Sequence, residues 1–333
     1  MKQNFWKELQ KPIMALAPMA NVTDAAFRRV IAKYSKVKGG YPYVTYTEFV
    51  SADGLFLGDE RARSILMHDL IFTEAERPIV AQFFTAKPEL MEKAAKLSVE
   101  LGFDGIDINM GCPDRGVEKQ GAGAALIKNP KLARELIRAA KRGAGELPVS
   151  VKTRIGYNKN ELETWLPELL EEDPSAVILH LRTRKEMSKV PAHWDVMKDA
   201  VKMRDVSGKE TLLLGNGDIQ NLDDAFEKVK DSGADGAMLG KAIFGNPSLF
   251  SNSYELENKD GEDLEFIQKR LEVMIEHTKL FEELLGDIKN FAIMKKHYKA
   301  YVEGFPGAKE LRAKLMEAEN AKEVEKTTSE FLK

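Results

Sequence analysis

Short apolar runs alternate along this chain with longer stretches in which apolar residues recur every three or four positions. The first pattern is that of strands buried on both faces, the second that of helices with one face turned to a core. Runs at Ile13–Pro18, Tyr43–Val50, Pro78–Phe84, Phe103–Met110, Pro148–Arg154, Ala176–Arg182, Thr211–Gly217 and Gly236–Gly240 predict eight strands. Several helices between them have legible ends. Thr23 is placed to cap Asp24–Tyr34, and Pro88 opens a helix that Gly102 stops after Leu101. Pro130 opens another that Gly143 ends, and Asn221 caps one that stops at Gly233. Strand–helix units repeated in this way predict a (β/α)8 TIM barrel. A doubly wound open sheet would alternate similarly, but no Gly-x-Gly-x-x-Gly follows the first strand.

Past Pro247 the pattern changes. From about Glu255 onward no strand candidate occurs, and Glu, Lys and Leu recur at helical spacing. Helices are predicted over Asp263–Leu285, Lys289–Val302 and Ala308–Glu319, with breaks at Gly286 and at Gly304-Phe305-Pro306-Gly307. The expected organisation is a barrel over 1–250 followed by a small helical bundle domain over 255–333. Lys289–Lys314 holds six lysines and one arginine against two glutamates, a local excess of positive charge. Tyr298, Tyr301 and Phe305 interleave with those cations. A nucleic-acid face and a solvated helix face with core aromatics both fit this segment.

Composition narrows the class. A chain of 333 residues is long enough for one large domain and a smaller one. The single cysteine excludes an internal disulfide and suits a reducing compartment. Phe5 and Trp6 stand near the N-terminus without an apolar signal core, and no apolar run reaches membrane length. A soluble, cytoplasmic protein is expected. The net charge of −3 means that any basic surface is local. His68, His180, His193, His277, His297 and Cys112 show no metal-ligand spacing, so no catalytic metal is expected.

The lone cysteine lies in Asp107-Ile108-Asn109-Met110-Gly111-Cys112-Pro113, where an apolar strand runs into a turn forced by Gly111 and Pro113. A lone cysteine is commonly a small buried hydrophobe. Here the flanking breakers put the thiol at a strand's C-terminal end, and a reactive thiol is the better reading. In a barrel, chemistry gathers at that end of the strands. Its polar residues are Glu48, Gln82, Asn109 and Cys112, Lys152 and Arg154, His180, Arg182 and Arg184. Gly215-Asn216-Gly217-Asp218 and Gly240-Lys241 follow the last two strands. These glycine-containing turns, with a nearby cation, form the usual phosphate cradle of such barrels. Each residue alone has a plain structural explanation; their meeting at one rim favours a site. No carboxylate pair or Ser/His/Asp order is evident.

The order and spacing of these pieces resemble the flavin-dependent tRNA-dihydrouridine synthases over most of the chain. The resemblance begins at Leu16-Ala17-Pro18-Met19-Ala20-Asn21-Val22-Thr23-Asp24 with Phe27-Arg28, and passes through Gln82 and Asn109-Met110-Gly111-Cys112-Pro113. It continues with Val117, Gly121-Ala122-Gly123-Ala124-Ala125-Leu126, Val151-Lys152-Thr153-Arg154 and His180-Leu181-Arg182-Thr183. Gly215–Asp218, Leu239-Gly240-Lys241 and Gly245-Asn246-Pro247 complete it. Three departures stand out, one of them a segment Lys36–Gly40 before the second strand that is longer than usual in the family. Lys241 occupies a place where family members commonly carry arginine, and Glu186–Trp194 keeps Ala192 and Trp194 but lacks the family's Tyr-Gly pair.

The resemblance implies a barrel that binds FMN, takes electrons from NADPH and reduces the C5=C6 bond of a uridine in folded tRNA, with ribosomal RNA an open alternative. It implies that FMN lies against Pro18 and Met19 and meets Gln82 and Lys152. His180, Asn216, Gly217, Asp218, Gly240 and Lys241 would hold its ribityl-phosphate. Asn109 would contact the uracil, and Cys112 would be the general acid. Arg154, Arg182, Lys295, Lys296 and Lys299 would bind the RNA.

Overall fold

The computed structural model describes residues 4–251 and 264–333. Eight parallel strands close into a barrel in chain order. They are β1 (Ile13–Leu16), β2 (Tyr43–Ser51), β3 (Ile79–Phe84), β4 (Gly105–Met110), β5 (Val149–Arg154), β6 (Ala176–His180), β7 (Leu212–Asn216) and β8 (Gly236–Leu239). Closure comes from β1 pairing with β8, from Ile13 opposite Gly236 to Leu16 opposite Leu239. Every expected strand is present. β1, β6, β7 and β8 stop one or two residues early, where glycine, proline and the rim residues already turn into loops.

Helices follow the strands as a barrel requires: α1 (Ala25–Ser35), α2 (Ala52–Leu57), α3 (Glu60–His68), α4 (Pro88–Glu100), α5 (Arg115–Lys119), α6 (Pro130–Ala144), α7 (Leu162–Glu171), α8 (Met197–Ser207) and α9 (Leu222–Ser232). The cap of α1 is Asp24, not Thr23: its carboxylate accepts the Phe27 N–H at 3.0 Å. The C-terminal part holds α10 (Leu264–Leu285), α11 (Lys295–Tyr301), α12 (Ala308–Leu315) and α13 (Ala321–Phe331). The single helix expected over Lys289–Val302 is a 3-10 turn, Phe291–Met294, running into α11, because Asn290 accepts the Ala292 N–H at 2.8 Å. α13 lies beyond the helices expected from the sequence, although Asn320 caps it by accepting the Glu323 N–H at 3.0 Å.

Contacts divide the chain into two compact units that interleave in sequence. One takes in the chain up to Met19, Pro42–Leu70 and Arg77–Gly240, and so holds the whole sheet. The other combines Ala20–Tyr41, Ile71–Glu76 and the chain from Lys241 on. α1 therefore groups with the C-terminal helices. The break expected after residue 250 and the helix start expected at Asp263 fall on 252–263, outside the described residues, apart from Ser251. Among the described residues no helix is long and apolar enough to cross a membrane.

Strand register explains where the barrel puts its polar groups. Asp107 lies opposite Ser150 and Asn109 opposite Lys152, while Arg154 pairs with His180 and His180 with Asn216. Partners across a parallel ladder share a face, and alternate residues Ala176, Ile178, Leu214 and Met238 belong to the interior cluster. The polar residues therefore point inward as well. Toward the N-terminal end the interior is apolar, built from Ile13, Ala15, Val44, Tyr46 and Val80 and sealed by Trp6 at 2% exposure. The same alternation carries amides, a lysine and arginines inward at the other end.

In the second unit, Arg28 and Glu76 form an ion pair at 2.8 Å with both side chains fully buried. His277 on α10 and His297 on α11 meet edge to face at 4.7 Å, with Phe27 stacked on His277 at 4.6 Å. Burial pushes the His277 imidazole well below its ordinary value, and His297 down to about 3. Both are therefore neutral when folded and titrate normally when unfolded. Their contribution is complete above pH 6.5 and is lost as pH falls below that value toward the folded pKa. Each should cost about 1.4 kcal/mol per pH unit below this point. Denaturant titrations from pH 7 to 5 should show a steep loss of stability that flattens in the His277→Leu/His297→Phe variant. Parallel pH dependences in the two proteins would refute this origin of the acid sensitivity.

Candidate functional site

A cleft of about 480 Å³ opens at the C-terminal end of the barrel, lined by Pro18, Phe49, Asn109, Cys112, Lys152, Arg154 and His180 among others. It is built from the ends of five strands. At β4, Gly111 permits a close crossing over β5: a Cβ there would lie 3.2 Å from the Thr153 backbone. Pro113 and the Asp114 cap of α5 then turn the chain away. Cys112 is left partly buried against Phe84, Val117 and Ala122, with its loop tied down by the Ala124 N–H donating to the Cys112 carbonyl at 2.9 Å. The thiol thus lines the cleft. Burial raises its pKa, opposed by a backbone hydrogen bond from Asp114 and by the charges of Arg154 and Lys152. At neutral pH it is a thiol.

Asn109 is committed to that loop. Its Oδ1 accepts the N–H groups of Gly111 at 3.1 Å and Cys112 at 2.9 Å, while Nδ2 donates to Gln82 Oε1 at 3.0 Å. Gln82, fully buried, donates in turn to Asp107 Oδ2 at 2.7 Å. Lys152 donates to Asn216 Oδ1 at 3.1 Å, and Asn216 donates to the Met238 carbonyl at 2.7 Å. The Lys152 ammonium makes no ion pair among the described residues, and burial first, then Arg154, bring its pKa to about 8. Its charge remains available to an anionic ligand.

The two arginines expected to meet substrate are engaged inside the protein. Arg154 donates to the carbonyls of Gly111 (2.8 Å), Thr183 (3.1 Å) and Met187 (3.0 Å), bracing the Cys112 loop against the loop after β6. Arg182 donates to the Val190 carbonyl at 2.6 Å and pairs with Asp218. Asp218 also accepts the Ala192 N–H at 2.8 Å, so the Gly217-Asp218 turn offers an anion its backbone rather than a side chain. Gly217 has φ +128, and a Cβ there would meet Ala192 at 2.8 Å, so only glycine fits. Trp194, retained in the unusual loop after β6, donates to the Gly217 carbonyl at 2.8 Å.

Met19 packs beside Gly240, its sulfur 3.7 Å from where a Cβ would stand. Lys241 opens a 3-10 turn, Lys241–Ile243, where the last segment of the second unit begins. On α11, Tyr298 and Tyr301 are core residues at 0% exposure and are closed to a ligand. Lys296 and Lys299 are exposed and Lys295 is half-buried. Sequence reasoning missed Asp107, although a carboxylate inside an apolar strand is a legible signal. Its carboxyl is raised to about 6 by burial.

A family model described as "Dihydrouridine synthase (Dus)" matches residues 15–333. The "Probable tRNA-dihydrouridine synthase 2" of Bacillus subtilis (strain 168) is 40% identical over 332 residues, spanning 99% of this chain and 97% of that protein. The "Probable tRNA-dihydrouridine synthase" of Staphylococcus aureus (strain COL) is 40% identical over 333 residues, 99% of this chain and 96% of the relative. Among solved structures, morphinone reductase superposes with a TM-score of 0.51 at 13% identity, covering 75% of this chain and 88% of that one. At that identity the likeness is one of fold.

Proposed function

Since the chain belongs to the dihydrouridine synthase (Dus) family, we propose that it is an FMN-dependent tRNA-dihydrouridine synthase using NADPH as reductant. The observation that carries the reading is the meeting of a protonated thiol and an unneutralised lysine in one cleft at the barrel rim. The residues suit the cofactor. Pro18 and Met19 supply an apolar wall, Lys152 a cation for the ring, and Gln82 an amide. His180, Asn216, Gly240 and the backbone of Gly217 and Asp218 would hold the ribityl-phosphate. When bound, FMN supplies the electron pair that reaches C6 of the uracil.

Carbon C5 then needs a proton. Cys112 holds one at Sγ, and burial keeps it there until substrate arrives. The thiolate left after transfer is met by the Asp114 N–H and by the charges of Arg154 and Lys152. Asn109, anchored through its oxygen, has an N–H left for the uracil. The target base must leave its stack to enter the cleft. Arg154 and Arg182 act here as braces of the loops around that base. A cytoplasmic setting suits a chain whose one cysteine must stay reduced.

Incubation of the FMN-loaded protein with NADPH and an unmodified tRNA transcript is expected to yield dihydrouridine, read by nucleoside mass spectrometry. The purified protein should be yellow with non-covalent FMN. Finding FAD, or no dihydrouridine in tRNA or ribosomal RNA, would overturn the reading.

The lysines of α11 are proposed to hold RNA phosphates. Changing Lys295, Lys296 and Lys299 to glutamate should weaken tRNA binding and flatten its salt dependence. Every phosphate no longer neutralised takes about 0.7–0.9 off the slope of log K against log salt. FMN content should be unaltered. An unchanged slope moves the RNA surface elsewhere, to Arg184, Lys185 and Lys189 first.

A further inference from the structure

We propose that Asp107 is a positioning residue for the thiol: its carboxylate fixes which way the side-chain amides of Gln82 and Asn109 point, and through them where the Cys112 loop sits. This rests on the reading of Cys112 as proton donor, which assigns no part to Asp107. The carboxylate is fully buried on β4. Its Oδ1 accepts the Ser150 hydroxyl at 2.6 Å, and its Oδ2 accepts Gln82 Nε2 at 2.7 Å. Gln82 Oε1 accepts Asn109 Nδ2 at 3.0 Å, and Asn109 Oδ1 accepts the Gly111 and Cys112 N–H groups at 3.1 and 2.9 Å.

A side-chain amide turned end for end keeps its shape but exchanges donor for acceptor. Two such amides in series are therefore ambiguous unless something at an end is not. Here both ends are unambiguous. An ionised carboxylate only accepts, and a backbone N–H only donates. Asp107 obliges Gln82 to show it NH2, so Gln82 shows oxygen to Asn109. Asn109 then turns its NH2 to Gln82 and its oxygen to the loop carrying the thiol. Without an acceptor-only group at position 107, Gln82 can flip. Asn109 must then follow, setting an NH2 against the two backbone N–H groups that hold Cys112.

The groups facing Asp107 are Ser150 and Lys152 on β5, Gln82 on β3 and Tyr46 on β2. Lys152 favours the charged carboxylate, as do the hydrogen bonds of Ser150 and Gln82. Burial outweighs them and brings the group to about 6. It is ionised at pH 7 and protonated only in mild acid, when it gains a donor and the polarity of the chain is no longer imposed.

Cys112 is the only thiol, so its alkylation by iodoacetamide reports the loop without reference to activity. Asp107→Asn should raise the alkylation rate about tenfold through local loosening, and lower kcat for uridine reduction about 10²-fold through misplacement of the thiol. Adding Gln82→Glu restores an acceptor-only group one step along the chain. The introduced carboxylate accepts from the introduced amide on one side and from Asn109 on the other. The double variant should return the alkylation rate to near wild type, although activity stays low because Gln82 is read as a cofactor contact. A wild-type rate in Asp107→Asn, or no rescue by Gln82→Glu, overturns the inference. If the variants do not fold, hydrogen exchange in the wild type decides. Protection of the Gly111 and Cys112 amides, corrected for intrinsic exchange and taken relative to the other amides of β4 and β5, should fall below pH 6; a ratio independent of pH overturns the inference. Alkylation that follows the expected pattern in a protein that forms no dihydrouridine supports the role of Asp107 while removing the functional reading.

Discussion

Replacing Cys112 with alanine is expected to leave oxidation of NADPH nearly unchanged while slowing uridine reduction by about 10²–10⁴-fold, the usual worth of a placed general acid. The two half-reactions separate because the thiol takes no part in receiving electrons. Alanine also leaves the loop intact, since the ties are to the backbone: Asn109 accepts from the N–H of Cys112, and the Cys112 carbonyl accepts from Ala124. Lost packing against Phe84 and Val117 is slight for so small a change. The pH dependence provides a second check. Because burial raises the thiol's pKa, the proton-bearing form persists above its ordinary range, and any decline of the wild-type rate between neutrality and that range should follow Lys152, brought to about 8, and not the thiol. Rapid-mixing measurement of the two half-reactions would decide. A variant that reduces uridine at the wild-type rate would mean that another group donates the proton.

Much of the barrel was legible because a parallel sheet covered on both faces leaves an unmistakable record. Its strands, such as Thr211-Leu212-Leu213-Leu214, are apolar on both sides and end in glycine or a polar residue. The rim was legible for the same reason, since Lys152, Asn109 and His180 interrupt strands that are otherwise apolar. The connection from β2 to β3 was not. α2 and α3 are short helices capped by Ser51 and Asp59, of six and nine residues, too short to betray a helical period. The grouping of α1 with the C-terminal helices is a tertiary fact with no local signature. Side-chain pairing is equally silent in sequence. Arg154 and Arg182 looked like cations awaiting RNA, but three carbonyls occupy the one, and a carbonyl with a carboxylate the other. Tyr298 and Tyr301 fit either a nucleic-acid face or a core in the sequence, and their burial places both in the core. A residue's type shows what it can bind; only its neighbours show what it already has.

The pair Phe27-Arg28 entered as a mark of family resemblance with no role attached, and the structure supplies one with a large expected effect. Arg28 is fully buried on α1 and spends its guanidinium on three partners. Nε donates to Glu76 Oε2 at 2.8 Å, Nη1 to the Thr23 carbonyl at 2.9 Å and Nη2 to the Ile71 carbonyl at 2.6 Å. Glu76 uses its other oxygen to accept the Thr73 N–H at 2.8 Å. The ion pair thus joins α1 to the segment 71–76, which has no strand or long helix of its own to hold it. Arg28→Met leaves a carboxylate buried without its counter-charge and removes the guanidinium donors from two carbonyls. Breaking a buried pair from one side costs about 3–5 kcal/mol, a large share of the roughly 5–15 kcal/mol that holds a protein folded. The fall in unfolding free energy should be read by denaturant titration. Removing both charges in Arg28→Met/Glu76→Leu should recover much of the loss, because the penalty lies in the stranded charge and not in the absence of the pair. A single variant that loses under about 1 kcal/mol would place the pair with surface ion pairs and leave the anchoring of α1 to its other contacts, among them the packing of Phe27 and the bonds of Lys33 and Tyr34 to Glu276.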